Sequence, residues 1–296
     1  MKPIQVLLTH AIDYAGLFPP AGLPLPAAAL NHAAYQLGPD AWALGRFIVP
    51  VSRLEELERV LPRSSGWRLS ALIGSDLAAD LDRVDAFNDR NAGDDATVID
   101  AIEVKADSVP LIRDTLSRVP DQLQVYVEVP VEPDPAELIG VLQASRARGK
   151  VRTGGVTADA FPSTANLAGF LAACVRAGVP FKATAGLHHA LRGNYPHTYA
   201  ANSSRGSMFG FLNLFLATAL LEAGGDRQSA SRMLEESSPQ TLAVDEWSIC
   251  WNDCRFDLEL LRRARERMVS FGSCSFTEPL AELRSLQLLG PEVRQA

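Results

Sequence analysis

Eight times along the chain a short β-rich run is followed by a stretch with the apolar spacing of a helix. That alternation restricts the available folds more than any other feature of the sequence. The runs cover residues 4–9, 44–49, 68–73, 101–105, 124–129, 150–153, 181–184 and 268–275. Several intervening helices signal their own starts. Ser52 and Glu55 have capping-box spacing, and Leu54, Leu57 and Leu61 follow on one face. Asp134, Pro135, Ala136 and Glu137 set a cap, a first-turn proline and an acid in the preferred order. Ser163 opens a helix whose Leu167, Phe170, Leu171 and Cys174 share a side.

Parallel strands need a crossover connection, so this alternation predicts an α/β fold with a parallel sheet. Eight such units predict closure into one (β/α)8 TIM barrel spanning residues 1–296. A doubly wound open sheet is the competing arrangement, and the lack of a Gly-rich phosphate loop after the first run argues against it. Residues 187–266 are too many for a single connection. They hold an apolar helix near 208–221, a second helix near 229–236 and an aromatic segment around Trp247 and Trp251. They read as a helical insertion between strands seven and eight, expected over the mouth where catalytic loops gather.

Composition narrows the partners. With 28 Lys and Arg against 35 Asp and Glu, the net charge is -7, a surface that repels polyphosphate and predicts no nucleic-acid partner. A local basic pocket for one small anion stays compatible with that balance. The 4 cysteines are too few for a disulfide framework, and Cys250 and Cys254 have no second ligand pair nearby. The longest apolar run, 208–221, is shorter than the ~20 residues a membrane span needs and contains Asn213. No apolar leader precedes the first run, so a cytoplasmic protein without a membrane partner is expected. The helix near Phe209, Phe211, Leu214 and Phe215 reads as core or as a subunit interface, which leaves a homo-oligomer open.

Side chains alternate across a strand, so a charge inside an apolar run faces the barrel interior or the helix layer, and an unpaired charge is costly at either. Five runs carry charge beyond their first residue. Glu103 and Lys105 share one face, as do Tyr126 and Glu128, Lys150 and Arg152, and Lys182 and Thr184, while Arg46 stands alone in the second run. The aliphatic residues Ile102, Val104, Val125, Val127, Val129 and Val151 are expected against the outer helices. The charged faces then point inward near the mouth, either as a structural salt-bridge network or as a functional site.

The string Lys150-Val151-Arg152-Thr153-Gly154-Gly155, followed by Phe181-Lys182-Ala183-Thr184-Ala185-Gly186, resembles the paired lysine motifs of the deoxyribose-phosphate aldolase group. Ser270-Phe271-Gly272-Ser273-Cys274-Ser275 is similar to that group's strand-eight phosphate turn. The resemblance implies a class I aldolase barrel with Lys150 as the Schiff-base lysine and Lys182 as its neighbour. A second cation lowers a lysine's pKa toward the neutral amine that attacks a carbonyl. Glu103, Glu128 and Asp13 are the candidate proton-transfer groups. Lys105, Arg152, Thr153, Thr184 and His188 are candidate substrate contacts, with backbone amides at Gly186, Gly272 and Ser273 offered to a phosphate or carboxylate. The large Val151 and Arg152 depart from the small polar residues of that motif, and the 187–266 insertion is foreign to its compact members.

The expected function is therefore a lyase of the aldolase type acting on a small anionic carbonyl substrate without a cofactor. One alternative is a divalent-metal-dependent lyase, isomerase or hydrolase, with Asp13, Glu103, Glu128 and His188 as ligands, since oxygen and imidazole donors from several strands suit such an ion. His189, adjacent to His188, points elsewhere on an extended segment. Another alternative is a barrel without catalysis that serves binding or assembly. In the aromatic loop after the first run, Asp13 is a candidate acid or base and Phe18 either packs on substrate or plugs the barrel. Cys274 reads as a nucleophile or as a small apolar residue.

Overall fold

The computed structural model describes residues 2–61, 65–93 and 95–290. Eight parallel strands close into a barrel in chain order. They are β1 (Ile12–Tyr14), β2 (Leu44–Pro50), β3 (Arg68–Leu72), β4 (Val98–Lys105), β5 (Gln124–Glu128), β6 (Arg148–Arg152), β7 (Phe181–Thr184) and β8 (Met268–Ser273), and β8 pairs with β1 to complete the ring. The fold is thus the expected (β/α)8 barrel. Ile102, Val104, Val125, Val127, Val129 and Val151 are all buried, as the alternation requires for the strand faces that meet the helices.

Seven of the eight β-rich runs fall on these strands; the first does not. Residues 4–9 are occupied by the helix Pro3–Leu8, with Pro3 in its first turn and Gln5 Oε1 accepting from the Lys2 amide at 3.1 Å. A short continuous apolar run satisfies a buried helix as well as a buried strand. The first strand instead lies in the Ile12–Asp13–Tyr14 segment, buried at every position, so Asp13 belongs to the barrel wall and not to the loop that follows it.

Ser163 caps the helix Thr164–Ala177 through the Asn166 amide, and Gly178 ends it in the left-handed conformation with φ 67°. Asp134 Oδ1 accepts from the Ala136 amide at 2.9 Å, but Pro135 occupies the cap position, one residue later than the expected Asp134. The Ser52–Glu55 capping box does not form: a 3-10 turn over Val51–Arg53 carries the chain straight into Leu54–Glu58.

The segment 187–266 holds a hairpin (Gly193–Pro196 with Arg205–Met208), the helices Phe211–Glu222, Arg227–Glu235 and Leu258–Arg267, and a three-stranded antiparallel sheet. Only its first part borders the mouth. Helix Phe211–Glu222 lies against the barrel wall, contacting helix Thr164–Ala177 and β8, and Phe211 stacks on Phe271 with centroids 4.8 Å apart. Every residue from Phe211 to Ala219 is buried within the chain, because Arg227–Glu235 covers the outer side. Among the described residues no helix is long and apolar enough to cross a membrane.

Candidate active site

Register across the parallel strands sets one row of polar side chains that runs from the barrel interior out to exposed Lys105 at the rim. Lys105 pairs with Glu128, Glu128 with Lys150, Lys150 with Lys182, and Lys182 with Ser270. Residues paired this way project from the same face, so the row is a direct product of the strand alternation read in the sequence. Glu103, two residues before Lys105 on β4, projects into the same space.

These groups form an alternating ladder. Lys182 Nζ lies 2.5 Å from Asp13 Oδ2 and 2.8 Å from Glu103 Oε1. Lys150 Nζ lies 2.8 Å from Glu103 Oε2 and 2.7 Å from Glu128 Oε2. Lys105 extends the series with a looser 3.9 Å contact to Glu128. Two hydroxyls join it: Ser270 donates to Asp13 Oδ2 at one end and Ser70 to Glu103 Oε1 at the centre, both at 2.9 Å. The Arg46 amide donates to Asp13 Oδ1 at 2.9 Å, and a Cβ at Gly45 would fall 2.5 Å from that oxygen, so glycine makes room for the carboxylate. Lys182 Nζ also stands 5.0 Å above the Tyr126 ring centre.

Burial disfavours each charge, and the partners overcome it. Glu103 is fully buried, yet the Lys150 and Lys182 ammonium groups hold its carboxyl well below the usual range. Lys182 is desolvated as completely, and Asp13 and Glu103 keep its ammonium above the ordinary lysine value. Lys150 is likewise raised, with Glu103 and Glu128 outweighing burial. This corrects the expected relation between the lysines. The net effect on Lys150 is a raised proton affinity, because Glu103 stands between the two lysines with one oxygen on each and Glu128 adds a second carboxylate.

Above the ladder, at the strands' C-terminal ends, is a cavity of about 170 Å³. Glu103 and Lys150 line it together with Arg152, Thr184, Gly186, His188 and Gly272, which brings seven of the expected site residues to one space. Phe18, Pro19 and Pro20 close one side, so the aromatic loop after β1 borders the cavity, an arrangement open to both readings of that loop. Lys182 and Asp13 do not reach it; their side chains are 0% and 1% exposed and sealed behind Glu103. Glu128 and Lys105 face a neighbouring outer groove, which Arg152 also lines. Thr153 is buried and donates to the Ala185 carbonyl at 2.6 Å, tying the ends of β6 and β7 together. Ser273 is buried beside His188, 3.3 Å from Nδ1, and donates to the Ser275 carbonyl.

Arg152 Nε donates to the Gly154 carbonyl at 3.1 Å, and among the described residues no carboxylate pairs with its guanidinium. Its charge is available to an anion. Cys274 also lines the cavity, with Sγ 3.7 Å from His188 Nδ1 and 3.6 Å from the Tyr199 hydroxyl. Burial pushes the Cys274 thiol up and, aided by His189, pushes His188 down to about 4. The pair is neutral at neutral pH and is not a thiolate–imidazolium couple. Arg46 is the charged strand residue that misses the mouth. It pairs with Asp100, which Arg68 shares, near the strands' N-terminal ends.

The four residues of the metal alternative are not gathered around one point. The ammonium of Lys182 lies between Asp13 and Glu103, and that of Lys150 between Glu103 and Glu128. Among the described residues no three His, Cys, Asp or Glu side chains form a group able to hold an ion. Ser70 and Ser270 were not singled out from the sequence, although each is a hydroxyl alternating with apolar neighbours in its run. No family model, curated protein or solved structure matches the chain.

Proposed function

We propose that the chain is an aldolase-type lyase in which Lys150 forms an imine with a small anionic aldehyde or ketone. One observation carries the reading: of the two buried lysines, Lys150 alone lines the cavity, and it does so between two carboxylates.

Those carboxylates answer the difficulty that a raised lysine pKa presents. The amine must be neutral to attack, and the proton has acceptors at 2.7 and 2.8 Å. Glu103 is held ionised by two ammonium groups, whereas Glu128 faces the outer groove and has access to solvent protons. Glu128 is therefore the group assigned to proton traffic. The neutral amine adds to the carbonyl carbon, giving a carbinolamine whose hydroxyl leaves as water once protonated. The resulting iminium carries one positive charge, as the original ammonium did. The alternating ladder thus needs no rearrangement to stabilise it. The iminium then withdraws the electron pair of the bond between its α- and β-carbons as Glu128 takes the β-hydroxyl proton. This releases an aldehyde and leaves an enamine, which is protonated at the α-carbon and hydrolysed by water to free Lys150. Arg152 holds the substrate anion at the rim.

Borohydride reduction in the presence of small anionic aldehydes and ketones tests this. The expected result is a stable mass increase in the wild-type protein that is lost in Lys150→Ala. A broad panel that leaves no adduct would overturn the reading in favour of a structural salt-bridge ladder.

A further inference from the structure

We propose that a second cavity, beside the barrel mouth, binds a phosphate-like anion. It has a volume of about 310 Å³ and lies between the start of helix Thr164–Ala177 and the hairpin strand Arg205–Met208. Phe161 forms the wall nearest the mouth. One part of its ring meets Gly186, where a Cβ would come within 3.1 Å, and the ring stacks on His197 with centroids 5.4 Å apart.

Four features converge on an anion. His197 is 2% exposed and its Nε2 has no hydrogen-bond partner among the described residues, although the ring lines the cavity. Its Nδ1 lies 3.1 Å from Ser204 Oγ; with the hydroxyl donating there, Nε2 carries the ring proton. A Cβ at Gly206 would fall 2.6 Å from that nitrogen, so any larger residue there would displace the ring. Arg192 also lines the cavity. Its guanidinium lies 5.0 Å over the Phe209 ring and pairs with no carboxylate among the described residues. Ser163 and Thr164 bring in a helix N-terminus, whose first amides lack intrahelical partners and whose dipole favours negative charge. None of the lining residues is acidic. A buried imidazole donor, an unpaired guanidinium and a helix start around one cavity suit a tetrahedral oxyanion.

The test is a calorimetric titration of inorganic phosphate into the wild-type protein, Arg192→Gln and Arg192→Lys, with the His197 ring signals followed by NMR. Saturable binding is expected, with a shift of the His197 signals and about tenfold or greater weakening in Arg192→Gln, the worth of one charge-assisted pair. Arg192→Lys should retain part of the affinity. Absence of binding, or equal binding in Arg192→Gln, overturns the proposal. Glycolaldehyde and glycolaldehyde phosphate, reduced onto the protein as a matched pair, identify the source of the anion. Faster labelling by the phosphorylated probe that is lost in Arg192→Gln makes the site the seat of the substrate's own phosphate. Unchanged phosphate affinity after labelling makes it a site for a separate ligand, and both results support the site. The phosphate titration does not involve Lys150, so it succeeds or fails independently of imine chemistry.

Discussion

Lys150 and Lys182 are direct register partners on β6 and β7, both buried, and Glu103 reaches from β4 to place one carboxylate oxygen on each. Two ammonium groups on adjacent strands in a low-dielectric interior repel strongly. Glu103 is what makes the pairing tenable, and it joins the lysine sealed in the barrel to the lysine at the cavity.

Substituting Glu103→Gln keeps the shape and removes that charge. The two ammonium groups then lose the charge between them and keep only Asp13 and Glu128 at their far sides, and the expected loss is about 3–5 kcal/mol, as for other broken buried ion pairs. Urea unfolding of the variant checks the value; a loss below about 1 kcal/mol would mean that the bridge contributes little.

Buried histidines set the acid limit of stability. His188 is pushed down to about 4 and His32 to about 3, both chiefly by burial. The unfolded chain therefore binds protons more readily than the fold between about pH 6.5 and those values, and stability falls as pH drops through that window. Each histidine contributes a slope of up to about 1.4 kcal/mol per pH unit. Glu103, depressed by its lysines, adds to the loss below its unfolded pKa of about 4.3. Denaturation midpoints between pH 7 and 4 should show the decline beginning near 6.5, with a shallower slope in His188→Asn. A flat profile down to pH 5 would contradict it.

Arg152 is expected to act on the substrate's charge and not on the chemistry. Arg152→Gln should raise KM for an anionic carbonyl about tenfold while leaving kcat and the KM of a neutral analogue nearly unchanged. Equal effects on both substrates would remove its assigned role.

The need for a neutral amine predicts the pH response of imine formation. With Lys150 raised above the ordinary lysine value, the neutral fraction grows about tenfold per pH unit throughout the range from 7 to 9. The initial rate of reductive labelling should follow that slope. A plateau below pH 8 would indicate a lysine that is already neutral.

Much of the barrel was legible because alternation leaves a direct trace: aliphatic Val125 and Val127 bracket Tyr126, and each strand declares its two faces. The first strand was hidden because β1 has only three residues, Ile12–Tyr14, and the more apolar run before it became a helix. The ladder's members were visible as charges on apolar strands. Their pairing was not, since it depends on register: Glu128 meets Lys150, while Glu103 reaches past it to Lys182. Nothing local distinguishes Lys182, sealed in the interior, from Lys150 at the cavity. The serine hydroxyls of Ser70 and Ser270 carry no charge and so gave little signal. Arg46 gave a false one, because a strand's inward face runs the full height of the barrel and a charge near its start lies far from the mouth.

The most direct measurement is peptide mapping of the borohydride-reduced adduct formed with a small anionic aldehyde. Imine chemistry at the cavity predicts the added mass on the peptide carrying Lys150, with Lys182 unmodified. Modification of Lys182, or of surface lysines alone, would contradict it.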